Sequence, residues 1–316
     1  MTEPMLDLTI IIPSYNTRDL LRNCLQSIYR HTKGITFEII CVDDNSPDRS
    51  ADMVAESFPE VILVRNTVNQ FYAKNNNLGM RRSRAHYACL LNSDTMLIDN
   101  AFQALIRFMD EHPEAAVCSP KLLNPDGSIQ HHIRSFAGLG TFLLQTLNWH
   151  KLFPNSRSMN RYYNIDFDYS RTQQAESIGT TAYIIRRSTW EQAGMLDERF
   201  LHYMPDLAYN YMLNQKGYKL YYTPCAEVVH FGSQSINQMG LNALRQQCQG
   251  LIEFSDAYDY FGSSKLTKAI VRAGIRFRYC IKVLEYCLSS DKRVIKGPGA
   301  PNKDVAAQAT LLRDLK

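Results

Sequence analysis

Short apolar runs alternate with amphipathic stretches over the first 120 residues. Residues 8–12 (LTIII) form a continuous apolar run, the pattern of a parallel strand buried on both faces. Residues 37–42 (FEIICV), 61–64 (VILV) and 87–91 (YACLL) predict further strands. Between the first two, Leu20, Leu21, Cys24, Leu25 and Ile28 recur at the spacing of one helix face, with Asn16 or Thr17 marking its start. Helices are also expected over residues 50–57 and about 73–84. Strand, helix, strand at this spacing implies right-handed crossovers and a mostly parallel sheet, an α/β fold.

Farther along, a helix over residues 101–111 is broken by Pro113, and residues 115–119 (AAVCS) read as a strand. The turn NPDGS (124–128) opens a long irregular stretch to about residue 175, rich in aromatics and arginine. IGTTAYIIRRSTW then reads as a glycine turn and a strand, and the next helix should end at Gly217. KLYYTPCAEVVH (219–230) is expected to form two short strands. After about Asn242 the pattern is helical, and it fades near GPGAPNK.

The 316 residues suffice for one large α/β domain with additions or for two modest ones. A net charge of +4 is too small to argue for nucleic acid. No apolar run reaches the roughly 18 residues needed to cross a bilayer, and the N-terminus lacks the features of a secretory signal. Eight cysteines without a CxxC are expected to be small buried hydrophobes rather than a disulfide framework, which suits a cytoplasmic protein.

The chemistry gathers where the strands end. The first discharges into Pro13-Ser14-Tyr15-Asn16, the second into Asp43-Asp44-Asn45-Ser46, and the fourth into Asn92-Ser93-Asp94. Ligands of such sheets bind outside the carboxyl ends of the strands. One polar end is a turn, and three together predict a site. Neither a dinucleotide fingerprint nor a P-loop is present. Pro13 and Tyr15 offer a wall for a base, and Asp43 and Asp44 can accept from the imide N–H of uracil or thymine, which discriminates against cytosine. The plainer alternative is that one of the two acids caps the following helix.

In order along the chain, TIIIPSYN, VDDNSPD, NQFYAKNNNLGM, LLNSDT, NPDGS, IGTTAYIIRR, LDERFLHYMPD and VVHFGSQS resemble the motifs of family 2 glycosyltransferases. The likeness is strongest to the branch containing bacterial rhamnosyltransferases of cell-surface polysaccharide synthesis, and it covers roughly residues 8–240. It implies a GT-A fold, with a Rossmann-like, mostly parallel central sheet flanked by helices and a helical C-terminal extension. Residues 1–240 would be catalytic, with a nucleotide-sugar half to about 120 and an acceptor half beyond, and 241–316 would be the extension with a flexible tail. The implied reaction is an inverting transfer from a dTDP- or UDP-sugar, dTDP-rhamnose among them, to a glycan or polyprenyl-linked acceptor, with Mg2+ or Mn2+ as cofactor.

The resemblance assigns roles by position. Asp94 is the expected metal ligand, because a cation held by a carboxylate neutralises the departing diphosphate; the competing reading is a turn acid. Relatives with two acids place the first where Asn92 stands, so this tip has one charge fewer, and Asn92 and Ser93 remain to hydrogen-bond the donor. His230 matches a position that completes the metal or diphosphate site in relatives. Lys74 and Asn76 match a segment near the donor ribose and diphosphate, although Lys74 also suits a solvated helix face. Asp206 matches the general base, while Pro205 and Ala208 replace acids and Met212 replaces an arginine. Proline suits the first helical position, and the helix dipole would favour an ionised Asp206 in the first turn. The replaced acids leave open a catalytically inactive homologue that binds nucleotide sugar or glycan as a scaffold.

The stretch from His131 to Arg171 suits an acceptor wall or, equally, a packed irregular linker. Residues 265–296 carry nine basic residues against Glu285 and Asp291, with Val271, Ile275, Ile281, Leu284 and Leu288 interleaved. That composition fits a helix resting on anionic lipid at the inner face of the cell membrane, or a helix packing one apolar stripe on the domain.

Overall fold

A computed structural model describes residues 5–146, 157–201, 204–232 and 241–288. β1 (Leu6–Ser14), α1 (Arg18–His31), β2 (Phe37–Asp43), α2 (Ser50–Ser57), β3 (Ile62–Arg65), α3 (Phe71–Arg82) and β4 (Ala85–Leu91) follow the expected alternation. β5 (Thr95–Leu97), α4 (Ala101–Glu111), β6 (Ala115–Leu123), β7 (Ile133–Arg134), α5 (Leu139–Thr146) and α6 (Arg157–Tyr163) come next. β8 (Gln173–Ala175), β9 (Ser177–Ile178), β10 (Ala182–Arg186), α7 (Arg187–Ala193), α8 (Pro205–Gln215) and β11 (Lys219–His230) precede two last helices, α9 (Leu241–Ala257) and α10 (Lys265–Leu288).

The central sheet runs β3-β2-β1-β4-β10-β6-β11-β5, with β8 paired to β11 off that path. β3, β2, β1 and β4 are mutually parallel. β10 enters antiparallel between β4 and β6, and β11 lies parallel to β6. Both faces of the parallel half are covered. Ile10, Ile12, Cys89 and Leu91 join α1, α2 and α4 in one core, while Ile11, Ala88 and Leu90 turn the other way onto α3, α7 and α8. This two-sided burial explains why the strands read as unbroken apolar runs.

α3 lies tight against the sheet at Gly79, where a Cβ would stand 2.4 Å from Ile11 Cγ2. Inside a helix alanine ordinarily gains about 1 kcal/mol over glycine. Ile11 is fully buried and cannot yield, and overpacking costs about 1–3 kcal/mol, so the clash wins. Gly79→Ala is therefore expected to lower the midpoint of thermal unfolding. An unchanged or raised midpoint would show that α3 stands off the sheet.

Several local expectations are corrected. α3 begins at Phe71 rather than near Ala73, because the Asp44 carboxylate accepts the backbone N–H groups of Gln70 (2.6 Å) and Phe71 (3.0 Å). β11 is one strand, not two. Its register shifts between Tyr222, opposite Ser119, and Glu227, opposite Lys121. The surplus residues around Pro224, which has no N–H for the ladder, bulge out before pairing resumes. Thr17 stands at the N-cap of α1 without capping it, since its hydroxyl is held by Ser14 Oγ (3.1 Å) and Ser93 Oγ (2.9 Å). Cys24, Cys41, Cys89 and Cys118 are buried, but Cys225, Cys280 and Cys287 are exposed, and no disulfide is present among the described residues.

The irregular stretch resolves into short pieces. β7 pairs with β9, and Phe142 of α5 packs against Val271 and Ile275 of α10. Phe254 of α9 packs against Phe200 and Ala208. Residues 147–156 of the aromatic segment, and Asp291, Lys292, Arg293 and Lys296 of the basic run, lie outside the described residues. Among the described residues no helix is long and apolar enough to cross a membrane.

Candidate functional site

The tips of β1 and β2 are tied edge to edge. Asp44 N–H donates to Ser14 O (2.8 Å) and Asn66 N–H to Asp43 O (2.9 Å). Asn16 and Asn45 hold positive φ values of 54° and 63°, a conformation asparagine tolerates better than most residues. The two adjacent acids have different surroundings. Asp44 spends its carboxylate on Gln70 N, Phe71 N and Asn66 Nδ2. It thus caps a helix, though α3 rather than the α2 that follows it. Asp43 accepts Ser46 N–H on Oδ2 (3.1 Å), while its buried Oδ1 has no hydrogen-bond partner among the described residues. Beside these tips Tyr15 is 41% exposed and Pro13 half-buried.

At the end of β4, Asn92 N–H donates to Thr181 O (2.9 Å), so the GTT turn before β10 abuts the Asn92-Ser93-Asp94 tip. The chain then turns into β5, which pairs antiparallel with β11 so that Thr95 faces His230. Phe231 N–H continues the ladder to Asp94 O (2.9 Å). This register brings His230 Nε2 to 3.2 Å from Asp94 Oδ1 and 3.5 Å from Asn92 Nδ2. Asp94 and Ser93 are buried and Asn92 is partly so.

A relay of hydrogen bonds fixes which imidazole nitrogen faces Asp94. Ser128 holds the Asp126 carboxyl below its usual range by donating Oγ–H to Oδ1 (2.6 Å). Ser128 Oγ therefore accepts from Asn124 Nδ2 (2.9 Å), which leaves Asn124 Oδ1 to accept from Gln130 Nε2 (3.0 Å). Gln130 Oε1 is left to accept from His230 Nδ1–H (2.6 Å). The NPDGS turn and Gln130 thus set the His230 tautomer. The turn is plain in the sequence, whereas Gln130 is marked there only as a polar residue two positions beyond it.

Asp206 occupies the first turn of α8 behind Pro205, which stands at the helix start after Met204 at φ 78°. Its Oδ1 accepts Leu207 N–H (2.8 Å). The expectation that the helix end would favour its charged form is outweighed by depth. Burial pushes the carboxyl up, against the backbone N–H groups of Leu207 and Asp206 itself. Its charge reaches Tyr72 and Tyr183, whose hydroxyls are raised chiefly by burial and in part by Asp206. Tyr72 Oη–H donates to the carbonyl of Thr180 (2.9 Å) in the GTT turn, and its oxygen lies 2.8 Å from the Thr180 hydroxyl. Tyr72 and Thr180 therefore link the acid of α8 to the β4 tip, a connection the sequence did not announce.

Asn76 adjoins this group through Tyr72, whereas Lys74 stands apart from it. Lys74 is exposed on α3, beside Glu198, whose carboxyl is lowered mainly by Asn77 and then by Arg81 and Lys74. Asn76 is fully buried, with Nδ2 donating to Tyr72 O (2.9 Å).

Residues 9–178, more than half of the 316, match the family described as glycosyl transferase family 2. The chain is 25% identical over 235 residues to the O-antigen biosynthesis protein RfbC of Myxococcus xanthus, an overlap of 72% of this chain but only 17% of that protein's length. It is 23% identical over 242 residues to the N-acetylglucosaminyl-diphospho-decaprenol L-rhamnosyltransferase of Mycobacterium tuberculosis, covering 72% of this chain and 77% of that one. Among solved structures, the mannosyltransferase PcManGT from Pyrobaculum calidifontis, in complex with GDP-Man and Mn2+, matches with a TM-score of 0.56 at 15% identity. That match covers 99% of this chain and 80% of the archaeal one. The shared architecture is the GT-A fold, with a helical C-terminal part.

Proposed function

We propose, for a chain that belongs to glycosyl transferase family 2, that it transfers a sugar with inversion from a pyrimidine nucleoside diphosphate to a glycan or polyprenyl-linked acceptor. Residues 1–240 are the catalytic part of this reading and 241–316 its extension, helical over Leu241–Ala257 and Lys265–Leu288. The names of the myxobacterial and mycobacterial relatives support a setting in surface polysaccharide synthesis and a lipid-linked acceptor, with rhamnose among the sugars.

The observation that carries the reading is the approach of His230 Nε2 to Asp94 Oδ1 at 3.2 Å. With Nδ1–H committed to Gln130, Nε2 is the nitrogen able to offer a lone pair. Neighbouring ligands about 2.1 Å from an octahedral ion stand about 3 Å apart, so this donor pair suits Mg2+ or Mn2+. Among the described residues no cluster of three His, Cys, Asp or Glu is present. Two protein ligands are in keeping with a cation that also takes phosphate oxygens and water. When bound, such a cation neutralises charge building on the departing diphosphate.

The remaining roles belong to side chains. Asp43 Oδ1, buried and unpaired among the described residues, would accept the imide N–H of uracil or thymine, with Tyr15 and Pro13 against the ring. Cytosine has no such proton and would leave the acceptor unsatisfied, at about 1–3 kcal/mol. Asp44, occupied by α3, would shape the pocket behind it. Asn92 would hydrogen-bond the donor. Asp206 would take the acceptor hydroxyl proton as that oxygen bonds to the sugar C1. The C1–phosphate bond breaks on the opposite face, and the nucleoside diphosphate leaves with the electron pair.

Ligand-dependent stabilisation tests this. With Mn2+, UDP or dTDP at about 100 times its Kd should stabilise the fold by about 2.7 kcal/mol, and GDP, the nucleotide of the archaeal neighbour's donor, should do so less. Equal responses to all three, or responses that need no metal, would overturn the reading. Gln130→Ala removes the acceptor from His230 Nδ1. It should weaken Mn2+ by about 10–100-fold in an electron paramagnetic resonance titration, and the ¹⁵N signals of His230 should show mixed tautomers.

A further inference from the structure

We infer that α10 is a lipid-facing helix, which lays an exposed apolar stripe, with basic side chains farther round the helix on either side, onto an anionic membrane surface. Of the twelve large apolar side chains exposed among the described residues, five lie on this one helix. They are Leu266 (71%), Ile270 (45%), Phe277 (50%), Leu284 (58%) and Leu288 (78%). At about 100° per residue these positions fall within about 40° of arc, so they form one continuous stripe. The opposite face is occupied, with Val271 and Ile275 buried against Phe142 of α5. α10 therefore has two apolar faces, of which the protein uses one. A helix that served only to pack on the domain would need only the first.

Charge selects the occupant. α10 carries six basic side chains against a single acid, Glu285. Lys268 and Arg272 are paired with Asp259 and Asp256, and Lys282 with Glu285. Lys265 and Arg276, exposed about 80–100° around the helix from the near edge of the stripe, form no ion pair among the described residues. A second copy docked through the stripe would bring these like charges together, whereas anionic headgroups complement them. The helix is too polar to span, in keeping with the lack of a membrane-crossing helix among the described residues. It would lie in the interface with the stripe immersed.

The inference deepens the proposed transfer and rests on it for one consequence only. α5, on which α10 packs, belongs to the segment expected to hold the acceptor, so docking would set that segment beside a membrane-borne substrate. The surface itself is tested without donor or acceptor. The full chain should co-sediment with phosphatidylcholine vesicles containing phosphatidylglycerol, less with phosphatidylcholine alone, and less as salt rises. Phe277→Gln with Leu284→Gln should cut vesicle binding by about tenfold or more and leave the melting midpoint unchanged, because both side chains are already exposed. Failure of the wild type to bind anionic vesicles would overturn the inference. So would binding indifferent to the double change, or a concentration-dependent dimer abolished by that change. Donor turnover measured in solution would stand or fall independently of all three.

Discussion

Asp206→Asn is expected to cut sugar transfer by about 10²–10⁴-fold and, at the same time, to raise the melting midpoint at neutral pH. Both effects come from the burial of one carboxyl, which pushes it up. A carboxyl whose folded pKa exceeds its unfolded one favours the fold while protonated, and that contribution is lost as pH rises through the folded value. At neutral pH, above the unfolded value, the fold therefore works against the charge this carboxyl carries in the unfolded chain. Asparagine removes the charge and keeps an acceptor for Leu207 N–H, 2.8 Å away in the wild type. The gain should fade as pH falls below about 4, where the wild-type acid is protonated in both states. The acidic limb of the transfer rate should correspondingly lie above the ordinary carboxylate range. Nucleoside diphosphate release and melting, followed together across pH, check all of this. Retained activity would move the base elsewhere, and loss of activity together with stability would make Asp206 a structural acid. A wild type as silent as the variant with every donor would favour the scaffold that Pro205 and Ala208 left open.

Asp94→Ala should leave the fold in place and abolish metal-dependent nucleotide binding. The backbone does not need this side chain, since Phe231 N–H meets the Asp94 carbonyl at 2.9 Å and Thr95 stays opposite His230. What disappears is the carboxylate facing His230 Nε2. The stabilisation of about 2.7 kcal/mol expected from UDP and Mn2+ at 100 times Kd should fall close to zero. Asp94→Asn, similar in shape but uncharged, should lose most of it as well. A nucleotide shift of wild-type size in Asp94→Ala would contradict the ligand assignment.

The parallel half of the sheet was legible because strands buried on both faces write unbroken apolar runs. The reversal of β10 was not, since such a run reads the same in either direction and only its neighbours β4 and β6 set its sense. α3 hid its start because the capping carboxylate comes from Asp44, a residue distant in sequence. The β11 bulge depends on the partner strand, whose pairing the sequence does not state. Among site residues, Pro13, Tyr15, Asp43, Asn92, Ser93 and Asp94 stood out as polar breaks after apolar runs. Asp206 and His230 became visible only through resemblance to a family. Gln130 depends on the register between β5 and β11 and on the relay from Asp126, neither of which leaves a periodic trace. Asp206 stands at a helix start as expected, but its distance from the helix end says nothing of the desolvation that pushes its carboxyl up. Asn76, polar in sequence, is fully buried.

The most direct measurement is anomalous scattering from Mn2+ in crystals grown with UDP. The expected result is a manganese peak bonded to an Asp94 carboxylate oxygen and to His230 Nε2, with the diphosphate on its far side. A diphosphate bound at the strand tips with no manganese at Asp94 would contradict it.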